Sequence, residues 1–568
     1  MLRALPAALS LAACISFGCV VDARPASADA LDELSRDFWT WRVVHQPSTG
    51  DDIPRVERPA GWLPDWSPAS IDARRRALGE FDRRWRAIDS SRWPVPRQVD
   101  YRLVGSAIAR VRWELDGAPA FRRDPQFYIQ QALGPVFDML LQPPPFTAAR
   151  ADAIVERLSH VPRVTEWARA NLNDARQPFA TLAIDTLDGI EARLATMGSA
   201  LGPNLPASHR GLVDQTATAA GRALAEYRGW LQSRLAAMPV ATAVGRESYV
   251  AFLRDVALVP FTPEELLAMG RQEWERAVAF EALEQQRNRA LPPMPLFPDQ
   301  AAHIAKSARD EEAIRAFLES NDLLTVPART RHYLNLPLPD YLAPVAFLGV
   351  TDDLTSETRL EDNGYSYIRV PGPNLPYFYL STARDPRPII VHEGVPGHYL
   401  QLTLSWAHEN PVRRRYYDSG ANEGIGFYAE EMMLQAGLWA DSPRSREIIY
   451  NFARLRALRV EVDVRLATGA FSIEQAADYL EKTVPMDRTT ALEEAAAFAA
   501  GPGQAITYQI GKLQIIRMLA DARRQQGSAF SLRAFHDFVW KNGNVPLSLQ
   551  RWELLGDRSD VARLPALR

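Results

Sequence analysis

Val391-His392-Glu393-Gly394-Val395-Pro396-Gly397-His398-Tyr399-Leu400-Gln401 is the stretch around which this chain is organised. It holds two of the nine histidines in the sequence, six positions apart, with a glutamate directly after the first. Imidazole nitrogens are good zinc ligands, and a carboxylate beside a bound metal can take a proton from water. In the H-E-x-x-H motif a spacing of four puts both imidazoles on one helix face. A spacing of six turns the second histidine about 120° away on an ideal helix. Pro396 and Gly397 fall inside the interval, and both permit a break, bulge or rewinding. His392 and His398 can therefore converge only if the helix is distorted between them.

Upstream, Pro337 to Pro388 changes character. Val345–Val350, Tyr365–Val370 and Tyr377–Ser381 are short β-prone runs bounded by Pro, Gly and Asn, which predict a small sheet just before His392. After Leu400 the pattern is helical through Leu564, with a capping box at Ser472-Ile473-Glu474-Gln475. From Ala30 to Ala290 helical spacing also prevails. Leu31–Val44, a helix opened by Trp66-Ser67-Pro68-Ala69-Ser70-Ile71-Asp72 and running through Ala73 to Ile88, and Tyr101–Leu115 are predicted helices. Thr147 is a predicted N-cap after Pro143-Pro144-Pro145, and Pro178–Met197 with His209–Met238 reads as a long helix pair. Thr262-Pro263-Glu264-Glu265 launches a helix reaching Arg287. Leu291–Pro298 is proline-rich and marks the boundary between a helical region, 29–290, and a region carrying the histidine motif, 291–568. Both read as parts of one integrated, mainly α fold with a small β insert before the metal-binding helix. Trp39, Trp41, Trp85 and Trp93 read as helix-packing core.

With 568 residues and a formal net charge of −4, no block of like charge stands out, which gives no support to nucleic acid or anionic membrane partners. Arg3 precedes an apolar run from Ala4 to Val21, and Ala26-Ser27-Ala28 offers a small-x-small cleavage site. Residues 1–28 thus read as a signal peptide for periplasmic or secreted export, the mature chain starting near Asp29. Leu11-Ala12-Ala13-Cys14 also resembles a lipobox, and the alternative is a lipid anchor on Cys14. Both cysteines, Cys14 and Cys19, lie in this leader, so the rest has neither disulfides nor thiolate ligands. No later apolar run is long enough to span a bilayer.

A zinc site needs a third ligand. Glu423 opens Glu423-Gly424-Ile425-Gly426-Phe427-Tyr428-Ala429-Glu430-Glu431, twenty-five residues after His398. A glutamate one helix downstream would leave a fourth position open for water. Gly424 and Gly426 would let a neighbouring helix or ligand approach closely. Glu430, on the same face, could accept a hydrogen bond from a ligand imidazole. The bland alternative is a surface helix with three ordinary carboxylates.

Here the residues resemble a known family. His-Glu-Gly-Val-Pro-Gly-His-Tyr-Leu-Gln at 392–401 is similar to the H-E-x-x-P-G-H-x-x-Q signature of the bacterial family catalogued as domain of unknown function 885. Glu423-Gly424 through Glu430 resembles its E-G-W-A-x-Y-A-E segment, and Pro502-Gly503-Gln504-Ala505 through Tyr508 and Gly511 its P-G-Q-A-x-x-Y-x-x-G block. Phe535-His536-Asp537, Gly543 and Val545-Pro546-Leu547 resemble its closing pattern. The resemblance implies a helical zinc-dependent hydrolase, distantly like thimet-type oligopeptidases and angiotensin-converting peptidases. The chain departs from the family at Tyr399, where a histidine is common, and at Ile425 in place of tryptophan. In the segment Arg456–Ala467, similar to R-x-x-R-x-x-x-D-x-x-x-H, Asp463 is kept and Ala467 replaces the histidine.

The expected chemistry is hydrolysis of an amide bond in a peptide or other small amide, assisted by Zn2+ on His392, His398 and Glu423. Glu393 would act as general base and Tyr508 as hydrogen-bond donor to the developing oxyanion. His536 reads as structural, Lys512 and Arg517 as solvated charges rather than a clamp for a substrate carboxylate, and Tyr377–Leu380 as a strand that could pair with an extended substrate. Two rival readings share the same residues: a zinc amidase on a non-peptide substrate, and a catalytically idle exported binding protein.

Overall fold

The computed structural model describes residues 26–49, 55–484 and 486–565. Residues 1–25 of the leader, with both cysteines and the lipobox, lie outside them, and the Ala26–Ala28 cleavage motif opens the first described helix, Ala26–His45. Local capping chemistry sets many helix starts. Ser67 accepts a hydrogen bond from the amide of Ser70 to begin Pro68–Arg86, and Thr147 does the same for Arg150 at Ala148–Asn171. Thr262 and Glu265 form a reciprocal capping box on Pro263–Arg287, as do Ser472 and Gln475 on Ile473–Thr483. The long helix expected over Pro178–Met197 is instead two, Gln177–Thr186 and Ile190–Leu201. Gly189 between them has φ 64°, a left-handed turn that glycine adopts without penalty.

The sheet has the order β1–β3–β2, from β1 (Tyr333–Pro337), β2 (Asp352–Asp353) and β3 (Gly364–Ile368). β1 runs parallel to β3, pairing Tyr333 with Gly364 and Asn335 with Ser366; β2 is antiparallel to β3, pairing Asp352 with Ser366. Only one of the three predicted runs is a strand. Ala343–Leu348 is a 3₁₀ helix, whose three-residue period turns both Val345 and Leu348 into the N-terminal core. Tyr377–Thr382 is an α-helix that starts after Pro376, with Tyr377 and Phe378 packed on Phe452. Tertiary packing outweighs β propensity there, and the segment does not offer a free strand to a substrate.

The sheet lies between two apolar cores. Leu336 and Tyr367 face the larger, built from Leu31 to Leu231 with Tyr416, Trp552 and Leu564 from the second half. Trp39 and Trp93 belong to this core with Trp41 and Trp85 packed against it; Trp85 stacks on Tyr101 at 4.9 Å. Tyr333, on the other face, packs on the histidine motif and belongs to the second core. Among the described residues no helix is long and apolar enough to cross a membrane.

Candidate metal centre

The helix breaks where convergence requires it. Ile390–Gly394 is a single π-helical turn, Val395 is extended, and a regular helix restarts at His398 and runs to Trp406. The chain folds back so tightly that a Cβ on Gly397 would lie 1.7 Å from the carbonyl oxygen of His392. This rewinding brings the two imidazoles to 4.7 Å between centroids, at 80°.

The helix Ser419–Ala436 supplies the third group. Glu423 Oε2 lies 3.4 Å from His392 Nε2 and 3.3 Å from His398 Nε2, and all three side chains are at most 9% exposed. Gly426 faces both rings: a Cβ there would sit 2.9 Å from His398 Cε1 and 3.0 Å from His392 Cε1. Gly424 instead meets Gly511, letting Ser419–Ala436 touch the helix Thr507–Gln526 through backbone. Both glycines thus serve close approach, one to the imidazole rings and one to a helix.

Glu393 approaches from the other side, its Oε2 3.9 Å from His398 Nε2, and offers with the two histidines ligand atoms within 4.8 Å of one another. Glu393 Oε2, Glu423 Oε2 and His398 Nδ1 are buried without a hydrogen-bond partner. Burial pushes the Glu393 carboxyl up to about 8, opposed by His398 and assisted by Asp352 and Glu423. Burial also acts to raise Glu423, but the two imidazoles beside it, His398 foremost, hold it well below the usual carboxylate range. The unpartnered Glu393 Oε2 and Glu423 Oε2, with the Nε2 atoms of two imidazoles facing them, form a donor set that could hold a divalent cation.

His392 Nδ1 donates to Glu430 Oε1 at 2.7 Å, which leaves Nε2 with its lone pair toward Glu423. Arg456 donates to Glu430 at 3.0 Å and lies 3.3 Å from His392 Nδ1. Sequence reading missed this role of Arg456, although the residue opens the recognised Arg456–Ala467 segment. Its helix, Pro443–Thr468, carries two further groups on the same side. Arg459 is bound to Glu494 through Nε and Nη2. Asp463 accepts from Tyr249 Oη and from the amides of Gly503 and Ala505, holding the loop before Tyr508. An amide in place of this carboxylate would turn N–H groups toward N–H groups. Asp463→Asn should therefore cost about 1–3 kcal/mol in chemical denaturation; unchanged stability contradicts that role.

Tyr508 is brought to the centre: its ring lies 6.3 Å from that of His392, nearly parallel, with the guanidinium of Arg459 4.7 Å away. Other predicted residues are elsewhere. His536 is buried between the carbonyl of Leu323 and Tyr428 Oη, a structural place. Lys512 is not solvated: it is 2% exposed and paired with Glu431 and Glu273. Arg517 pairs with Asp560 near the surface. Tyr399 donates to the carbonyl of Asp362, Ile425 is core, and Ala467 packs with Tyr249, Leu253 and Leu266.

Two solved structures share this fold. A candidate lipoprotein from Colwellia psychrerythraea superposes with a TM-score of 0.72 at 15% identity, covering 93% of this chain and 98% of that one. A candidate lipoprotein of unknown function from Shewanella oneidensis superposes with a TM-score of 0.67 at 16% identity, covering 94% and 100%. No curated protein matches the chain. Residues 48–554 match the model of a family described as bacterial protein of unknown function (DUF885), and the chain belongs to that family.

Proposed function

We propose that this protein is a zinc-dependent hydrolase of amide bonds, acting on short peptides. The observation that carries the reading is the placing of Glu423 Oε2 at 3.4 Å from His392 Nε2 and 3.3 Å from His398 Nε2. Ligand distances of about 2.0–2.1 Å in a tetrahedron put neighbouring donors about 3.3 Å apart, so the set fits zinc. When bound, zinc would lower the pKa of a coordinated water and polarise the substrate carbonyl.

The protein groups have separable tasks. Glu393 takes the proton from the attacking water and returns it to the leaving amine, a use that suits a buried carboxylate with one oxygen unpartnered. Glu430, neutralised by Arg456, holds the His392 ring and its tautomer. Tyr508 would donate to the oxygen on which negative charge develops. Glu430→Gln should weaken zinc affinity by about 10–100-fold in competition with a chelator; unaltered affinity would show that the imidazole needs no such partner. Tyr508→Phe should lower turnover without changing metal content or melting temperature, and equal turnover removes it from the mechanism.

Retention of Glu393 beside the ligands favours catalysis over idle binding, since binding alone has no use for a proton acceptor there. Export is part of the proposal, with Cys14 as the alternative lipid attachment point. The leader motif supports it, and both similar structures carry lipoprotein descriptions.

A further inference from the structure

We propose that Arg459 is a specificity-determining residue that receives a carboxylate of the substrate, so that the preferred substrates are peptides or acyl amino acids with a free carboxylate close to the cleaved bond. This inference rests on the hydrolase reading and names the substrate class of that same site.

Arg459 is 5% exposed, on the helix that also positions the metal ligands through Arg456. Its Nε and Nη2 donate to the two oxygens of Glu494, which occupies the lateral edge of the guanidinium. Among the described residues Nη1 has no hydrogen-bond partner, and it is not among the buried unpartnered atoms either. The end-on edge, Nη1 with the second N–H of Nη2, is therefore left for another acceptor. That edge presents two parallel N–H bonds, a geometry that matches the two oxygens of a carboxylate.

The surroundings strengthen the case. The guanidinium lies 4.7 Å from the ring centroid of Tyr508, 5.4 Å from Phe498 and 5.7 Å from Phe378. Three aromatic rings keep the local dielectric low, which makes a charge-assisted hydrogen bond worth more than in water. Burial disfavours the charge, but Glu494, Tyr508 and Glu423 more than offset it, so Arg459 stays protonated. Tyr508 stands between Arg459 and His392. A group held at Arg459 is thus one aromatic ring from the ligand set. An extended chain advances about 3.3–3.6 Å per residue, so such a carboxylate would lie one to three residues beyond the cleaved bond. A neutral carbonyl could accept one of these bonds; only a carboxylate uses both.

The test compares N-acetylated di- and tripeptides ending in a free carboxylate with the same peptides as carboxamides. Binding is measured by calorimetry to zinc-loaded Glu393→Gln, so that turnover does not enter. With Arg459 intact, the acids should bind about tenfold or more tighter than the amides. In Glu393→Gln/Arg459→Gln/Glu494→Gln, where no unpaired buried charge remains, the preference should fall to about one. Arg459→Lys should retain part of it. Equal affinity for acid and amide with Arg459 intact, binding of neither by the zinc-loaded protein, or a preference that survives in the triple variant each overturns the inference. Wild-type cleavage of both peptide types with equal efficiency also overturns it and leaves the hydrolase reading standing. A chain that takes up no zinc removes that reading first, which separates the two failures.

Discussion

Glu393→Gln should keep zinc and lose turnover by about 10²–10⁴-fold, the usual contribution of a positioned general base. The side chain is 17% exposed, and one oxygen faces the histidines without a protein partner. Glutamine fills the same volume but cannot accept the water proton. His392, His398 and Glu423 are untouched, so metal content should match wild type. The same variant gives a stability result of definite sign. In the metal-free protein burial raises the Glu393 pKa from 4.5 to about 8. A group raised on folding stabilises most below its unfolded value and loses that contribution as pH rises through its folded value. Metal-free Glu393→Gln should therefore match wild type near pH 4 and become relatively more stable as pH approaches 8. Turnover that survives the substitution would remove Glu393 from the chemistry.

Gly397→Ala should abolish stoichiometric zinc binding. The new methyl would lie 1.7 Å from the His392 carbonyl oxygen and 2.5 Å from that of Val391, both of them backbone atoms. Neither can move without unwinding the π turn that aims His392. Overpacking of this kind costs about 1–3 kcal/mol or more, and the displaced ring no longer meets Glu423. Gly394 is confined in another way, since a Cβ there would meet the Tyr333 ring at 2.6 Å. Circular dichroism would distinguish local loss of the site from global unfolding. Full zinc content in Gly397→Ala would mean that the histidines converge without the tight reversal.

Much of this arrangement is legible in the sequence. Capping chemistry at Thr147, Thr262 and Ser472 is written within four residues, and those starts formed as expected. The ligand and partner roles of Glu423 and Glu430 could be proposed because both follow the histidines on one helix with glycines between. The limits are equally physical. Tyr377–Thr382 has a strand-like composition, yet its rings find Phe452 only as a helix. Lys512 looks solvated at helical spacing, but two glutamates more than 80 residues away in sequence satisfy it inside the protein. Arg456 reaches His392 across 64 positions, a separation at which no local pattern carries information. Sequence alone could state that the helix must break between His392 and His398; the direction of the break belongs to the packing of Tyr333 and Gly397.

The measurement that tests the account most directly is metal content by mass spectrometry of the purified mature chain, beside His392→Ala, Glu423→Ala and Glu393→Gln. The account predicts about one zinc per chain in wild type and Glu393→Gln, and loss in the other two. No stoichiometric metal in wild type after zinc loading, or zinc retained in both ligand variants, would contradict it.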